Sequence, residues 1–235
     1  MRLFAIGDLH LSGGDDKPMD VFGPQWDRHF FHISQAWRRL VREEDAVLIP
    51  GDISWAMRLE EAEADLRAIG ELPGFKLICK GNHDYWWNSL TRVRSVLPAG
   101  MAALQFDAVE LEDWVVCGTR GWLIPTGETP LKAEDEKIYR REGERLKMAL
   151  EAARRLNPEK KLAVMTHYPP LYRNDRENRF VALLEEYGAD LAVYGHLHGS
   201  GIAAGFSGVH HGVTYRLVSC DSIGFSPVRV DEPEK

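Results

Sequence analysis

Five short polar blocks carry the residue types that hold divalent cations: Asp8-Leu9-His10, Gly51-Asp52, Gly81-Asn82-His83-Asp84, Thr166-His167 and Gly195-His196-Leu197-His198. Together they offer carboxylate oxygen, amide oxygen and imidazole nitrogen, a donor set that suits manganese, iron or zinc. Two aspartates buried side by side repel each other and are costly to desolvate. A divalent ion supplies the missing opposite charge. In extended chain, residues two apart point to the same side, so Asp8 with His10, and His196 with His198, can each face one ion. The glycines before Asp52, Asn82 and His196 allow a sharp turn and a close backbone approach. Any one block is weak: Asp-x-His is usually an accident and Gly-Asp is common in turns. The five in one order carry the argument.

Each block follows an apolar run that must position it. Residues 3–7, 46–50, 76–80, 162–165 and 191–194 read as buried strands. Apolar residues at helical spacing predict helices over 26–41 and 59–69, and further helices are expected over 88–97 and 179–187. The repeated strand, turn and helix predict a layered α/β fold with parallel strands. In such sheets functional groups gather at the carboxyl ends of strands, so distant blocks can converge. The segment 13–24 is expected to be a loop, 108–111 and 115–117 two strands, and 132–156 one long solvent-facing helix. The tail 213–230 alternates like antiparallel strands broken at Gly224 and Pro227.

The length of 235 residues suits a single domain over 1–235, and 44% hydrophobic residues predict a folded chain with a sizeable core. A net charge of -7 argues against a broad nucleic-acid-binding surface. Cys79, Cys117 and Cys220 are an odd, scattered set, expected as buried reduced thiols, which fits a cytoplasmic location. No segment approaches the roughly 18 apolar residues of a membrane span. The run 3–6 is too short for a signal-peptide core and leads straight into Asp8 and His10.

The blocks, taken in order from Asp8 to His198, resemble the calcineurin-like metallophosphoesterase superfamily: Asp-x-His, Gly-Asp, Gly-Asn-His-Asp/Glu, a single His, then Gly-His-x-His. The resemblance implies a four-layer sandwich, two mixed β-sheets packed face to face with helices outside. It implies one metal held by Asp8, His10, Asp52 and His198, and another by Asp52, Asn82, His167 and His196, with Asp52 bridging. His83 would then serve the leaving group, and Asp84 would orient His83. The implied reaction is hydrolysis of a phosphodiester or phosphomonoester by direct attack of a hydroxide bridging the metals.

Around these blocks, Trp55, Trp86, Trp87 and Trp122 could wall the site with apolar or base-stacking rings, against ordinary packing under loops. Arg120 could clamp a phosphate, or be a surface arginine; Arg58, Tyr172, Arg173 and Arg176 are weaker candidates. His29 with His32, and His210-His211, read most simply as structural or loop positions. A compact acidic chain favours a small-molecule phosphate ester as substrate. The alternatives are a protein phosphatase, a nuclease, for which no basic and aromatic stripe is seen, or a non-catalytic scaffold, which would be expected to lack ligand positions.

Overall fold

A computed structural model describes residues 1–12, 19–127 and 130–232. In chain order the elements are β1 (Leu3–Ala5), α1 (His29–Leu40), β2 (Ala46–Ile49), α2 (Leu59–Gly70), β3 (Phe75–Cys79), α3 (Leu90–Val96), β4 (Met101–Leu104), β5 (Ala108–Glu110) and β6 (Trp114–Thr119). They continue with α4 (Ala133–Leu156), β7 (Lys161–Thr166), α5 (Arg179–Glu186), β8 (Leu191–Tyr194), β9 (Gly208–His210), β10 (Val213–Leu217) and β11 (Val228–Arg229). Two mixed sheets result: one of five strands in the order β11-β1-β2-β3-β4, the other of six in the order β5-β6-β7-β8-β10-β9.

Side-chain alternation along each strand sets the layers. Leu3, Ala46, Leu48, Leu77 and Cys79 of the first sheet meet Trp114, Val116, Ala163, Met165 and Val193 of the second in a central apolar layer. Their neighbours Phe4, Val47, Ile49 and Ile78 face the other way, against Ile33 and Trp37 of α1, Leu66 and Ile69 of α2 and Val93 of α3. On the opposite flank Val115, Cys117, Val164 and Tyr194 pack on Leu146 and Leu150 of α4 and on Phe180 and Leu184 of α5. The outcome is helix, sheet, sheet, helix, as expected. Burying both faces of every inner strand explains why these strands read as unbroken apolar runs. Truncating a side chain such as Leu48, which is fully buried, would cost about 2–5 kcal/mol.

Strands β1, β2 and β3 run parallel, with Phe4 beside Val47 and Leu48 beside Leu77. Strands β6, β7, β8 and β10 are also parallel, with Val164 beside Ala192 and Thr214 beside Leu191. All their carboxyl ends therefore open toward the polar blocks. The two sheets are tied at that end, where Gly7 bridges Ser219.

The structure departs from the sequence expectations in several places. β4 was not anticipated, because Met-Ala-Ala-Leu has little intrinsic strand preference; pairing with β3 creates it. The tail is not uniformly antiparallel: β10 is antiparallel to β9 but parallel to β8, and β11 reaches back to pair with β1. α4 is not a purely solvated helix, since Tyr139, Glu142, Leu146, Ala149, Leu150 and Ala153 form a buried stripe. The helix expected from Trp26 begins at His29, because a 3-10 turn over Pro24–Trp26 and a left-handed Arg28 (φ 44°) precede it. Of the expected loop 13–24, residues 13–18 lie outside the described residues, and Met19–Phe22 is a 3-10 turn. All three cysteines are buried and free.

Candidate metal centre

The turns that follow β1, β2 and β8 are strained at the residues of interest. Asp8 (φ 58°), His10 (φ 45°), Asp52 (φ 50°) and His196 (φ 74°) all sit in the left-handed region without being glycine. Each such residue costs on the order of 1–3 kcal/mol and persists only where the surroundings over-determine it. Here backbone bonds do so: Asp8 N donates to Gly51 O (3.0 Å) and His10 N to Asp52 O (3.0 Å). Asp8 and His10 thus reach one place by a left-handed turn and not, as expected, by the alternation of extended chain. Two glycines allow the close approach. A Cβ on Gly81 would stand 2.1 Å from Asp52 Oδ1, and one on Gly195 would stand 2.2 Å from Asp8 Oδ2.

The seven residues singled out for metal binding converge. Asn82 Oδ1 lies 2.6 Å from His167 Nε2 and 2.8 Å from His196 Nδ1. Those two nitrogens are 3.2 Å apart, and His167 Nε2 is 3.5 Å from Asp52 Oδ2. On the other side, His10 Nε2 is 3.7 Å from Asp52 Oδ2, and His198 Nε2 is 3.4 Å from Asp8 Oδ1. Asp52 therefore faces both halves. The backbone N–H of His196 donates to both oxygens of Asp8 at 3.1 Å.

Protonation states follow from the surroundings. His167 Nδ1–H donates to Pro50 O (3.0 Å), which leaves the lone pair of the neutral ring on Nε2, pointing at the Asn82 oxygen. Burial pushes His10 and His196 down to about 3, helped at His196 by His167, and lowers His167 as well. Burial and the nearby Asp84 and Asp8 drive the Asp52 carboxyl well above its ordinary range. Burial alone would also raise Asp8, but His198, His167 and His10 hold it below that range. Burial opposes a charged His198, yet Asp221 and Asp8 raise it to about 10. The shifts at Asp52 and His198 register the negative charge of Asp8, Asp84 and Asp221, whereas those at His10, His167 and His196 register burial.

Asp221 was missed by the sequence reading. Its Oδ1 accepts from His198 Nδ1 at 2.8 Å and its Oδ2 from Gly199 N at 3.0 Å, fixing the ring so that Nε2 points inward. The sequence carries the signal, because Asp221 follows an apolar strand as Asp52 does, but an antiparallel tail gives no reason to expect a ligand at that strand end.

His83 is half-buried at the rim, with its ring centroid 4.5 Å from that of Trp55 and 5.8 Å from that of His10. Asp84 meets other partners than this ring. It accepts from Gly81 N (2.7 Å), Ile53 N (2.8 Å), Ser54 N (3.2 Å) and Trp86 Nε1 (3.0 Å). Among the described residues His83 Nδ1 has no hydrogen-bond partner. Asp84 thus braces the turns after β2 and β3. Trp86 and Trp87 are fully buried in the core under the turn and do not line the cavity that Trp55 faces. Trp55 does face the site, stacked on His10 at 4.8 Å. With Met19, Trp26, His83 and His198 these two residues line a cavity of about 300 Å³.

Trp122 lies 5.1 Å from Tyr168, whose ring covers His196 at 4.2 Å. Arg120 is half-buried over Trp122 at 4.5 Å, and its carbonyl accepts from His167 N (3.0 Å) and Tyr168 N (2.9 Å). His29 is structural, bonded to the carbonyls of Leu9 (2.8 Å) and Trp26 (3.2 Å). His210 and His211 do not join the centre; they meet Glu177 at 3.0 and 3.1 Å beside the amino end of β10.

These residues fit bound metal. The two acceptors Asn82 Oδ1 and His167 Nε2 face each other at 2.6 Å, an arrangement that a cation between them relieves. His198 Nε2, which faces Asp8, is buried without a hydrogen-bond partner among the described residues. No thiolate competes, since the Cys220 thiol donates to Asp8 O (3.1 Å) and burial raises its pKa. Among the described residues no helix is long and apolar enough to cross a membrane.

No curated protein matches this chain. Among solved structures, AQ665, a protein of unknown function from Aquifex aeolicus, superposes with a TM-score of 0.51 at 14% identity, over 97% of this chain and 94% of that one. At such identity the likeness concerns the fold alone. A family profile described as calcineurin-like phosphoesterase matches residues 1–200, a span that contains every residue of the converging centre except Asp221. This chain belongs to the calcineurin-like phosphoesterase family.

Proposed function

We propose that this protein hydrolyses a small phosphate ester with two metal ions, one held by Asp8, His10, Asp52 and His198, the other by Asp52, Asn82, His167 and His196. The observation that carries the reading is the convergence of two carboxylates, an amide oxygen and four imidazoles from both sheets on one spot. When bound, such ions polarise phosphoryl oxygens and bring the pKa of water toward neutrality. The protein's own part is positional. Pro50 O and Asp221 fix the tautomers of His167 and His198, so their free nitrogens aim inward. Asp84 locks the turns that present Asp52 and Asn82.

His83 takes the role of proton donor to the departing alcohol. It stands at the rim beside His10 and Trp55, with an uncommitted Nδ1. Trp55 and Trp26 offer aromatic faces to an organic leaving group. The volume of about 300 Å³ supports a small ester over a polymer.

The test is hydrolysis of bis-p-nitrophenyl phosphate and p-nitrophenyl phosphate by chelator-stripped protein, with manganese, zinc, iron or magnesium restored singly. Metal-dependent release of p-nitrophenol supports the proposal, and the preferred ester assigns diesterase or monoesterase. Protein that binds two ions per chain yet cleaves neither ester with any metal, nor a broader panel of phosphate esters, would refute it.

A further inference from the structure

A second cavity, of about 230 Å³, lies beside the candidate metal centre and has a different character. Its charged lining is Lys80, Arg120, Arg141, Arg145 and Glu142. Four cations against one carboxylate leave an excess of three positive charges, in a chain whose net charge is -7. Glu142 is fully buried and already engaged: it accepts from Thr119 Oγ1 (2.7 Å) and Arg145 Nη1 (2.6 Å). Lys80 donates to a neutral carbonyl, Trp87 O, at 2.6 Å. Among the described residues Lys80, Arg120 and Arg141 have no carboxylate within ion-pair distance. Clustered cations, with a single carboxylate among them that Thr119 and Arg145 already engage, make a site for an anion.

Two residues of this cavity are tied to the metal centre through the backbone. Lys80 precedes Asn82 by two residues, so their Cα atoms are at most about 7 Å apart. The Arg120 carbonyl holds the backbone N–H of His167 at 3.0 Å. The aromatic cavity bounded by Trp26, Trp55 and His83 lies on the other side, at His10 and His198. The cationic cavity falls below the roughly 300–1,000 Å³ of a whole ligand pocket, and suits one charged group of a larger ligand.

We propose that the substrate carries, besides the ester cleaved at the metal centre, a second anionic group, phosphate or carboxylate, that seats among Lys80, Arg120, Arg141 and Arg145. The inference rests on the phosphoesterase reading for the identity of the ligand as substrate; the anion site itself does not depend on it. Arg120 and Lys80 then position the anchored end, and Arg141, exposed on α4, closes the cavity mouth.

Two measurements test this separately. In the first, calorimetry follows binding of inorganic pyrophosphate to metal-stripped protein and to its Arg141→Glu and Lys80→Gln variants. Saturable binding weakened tenfold or more in each folded variant supports the site. Absence of binding, or binding that neither variant changes, overturns it, whatever the enzyme hydrolyses. The second compares kcat/KM of the metal-loaded protein for thymidine 5′-(p-nitrophenyl phosphate) and for its 3′-phosphorylated counterpart. A preference of tenfold or more for the doubly anionic ester, falling toward one in Arg141→Glu, supports the substrate assignment. Pyrophosphate binding without that preference would mean that the cavity takes a free anion, and would overturn the assignment to substrate. If neither these esters nor the broader panel is cleaved by protein holding two ions per chain while pyrophosphate still binds, the hydrolase reading fails and the anion site stands.

Discussion

Gly195→Ala isolates one contact of the centre. Gly195 is not among the glycines with positive φ, so alanine brings no left-handed strain there. The whole effect comes from its Cβ, which would stand 2.2 Å from Asp8 Oδ2. Ordinary contact begins near 3.4 Å, so the carboxylate must retreat by about 1.2 Å. It cannot turn freely, because both its oxygens accept from His196 N at 3.1 Å and one lies 3.4 Å from His198 Nε2. A displacement of about 1 Å at a reacting centre costs on the order of 10²-fold in rate. Overpacking of this kind destabilises a fold by about 1–3 kcal/mol, so the variant should still be folded. The assay is metal content by elemental analysis, with kcat/KM for the better p-nitrophenyl ester. Gly201→Ala is the control, since its nearest neighbour would be Leu197 Cδ2 at 4.0 Å. The expectation for Gly195→Ala is a loss of about 10²-fold in kcat/KM with reduced metal occupancy. A Gly195→Ala protein with two ions per chain and control-like activity would refute the reasoning.

Asp52→Asn keeps the acceptor for His83 N (2.8 Å) but removes a carboxylate that faces both halves of the centre. Occupancy of both sites should fall, while metal-stripped Asp52→Asn should melt higher than metal-stripped wild type, because the repulsion from Asp84 and Asp8 is gone. Retained occupancy at both sites would sink the bridging assignment. His83→Ala should lower kcat at least tenfold while metal content stays at two per chain; loss of metal would show that His83 holds an ion and is not a proton donor. Trp86→Phe removes the indole N–H that reaches Asp84 at 3.0 Å, and should cost about 2 kcal/mol of stability with KM for the aryl ester unchanged. A raised KM at an unchanged melting temperature would return Trp86 to the pocket wall.

The polar blocks and the strands before them could be read from the sequence because both signals are local. An apolar run of strand length followed by Gly-Asp or Gly-His marks its own end, and parallel pairing then gathers those ends. What escaped the sequence is non-local. The direction of the Trp86 ring is decided by the core it meets, and neighbouring Trp55, with the same chemistry, faces the site instead. Asp84 looked like a partner for His83 because the two are adjacent, but four donors from the segments after β2 and β3 compete for its oxygens. The left-handed backbone at Asp8, His10, Asp52 and His196 left no mark either, since these residue types adopt it more readily than most. The cationic cavity combines Lys80, Arg120 and two arginines of α4, a helix that looked merely solvated.

The distance along the chain between Asp8 and the imidazoles of the second sheet governs when the centre can be completed during synthesis. Asp8 and His196, joined by hydrogen bonds, are 188 residues apart, and Asp8 and Cys220 are 212 apart. At about 5–20 residues per second, roughly 10–40 s separate the making of Asp8 from that of His196. In that interval β1, β2 and β3 can associate, but their carboxylates lack the imidazoles contributed by the second sheet. The strand that flanks β1 on its outer side is itself among the last segments made. Such long-range closure is slow to nucleate. Full coordination thus belongs to the end of folding, and an ion met earlier finds only the half-site of the first sheet.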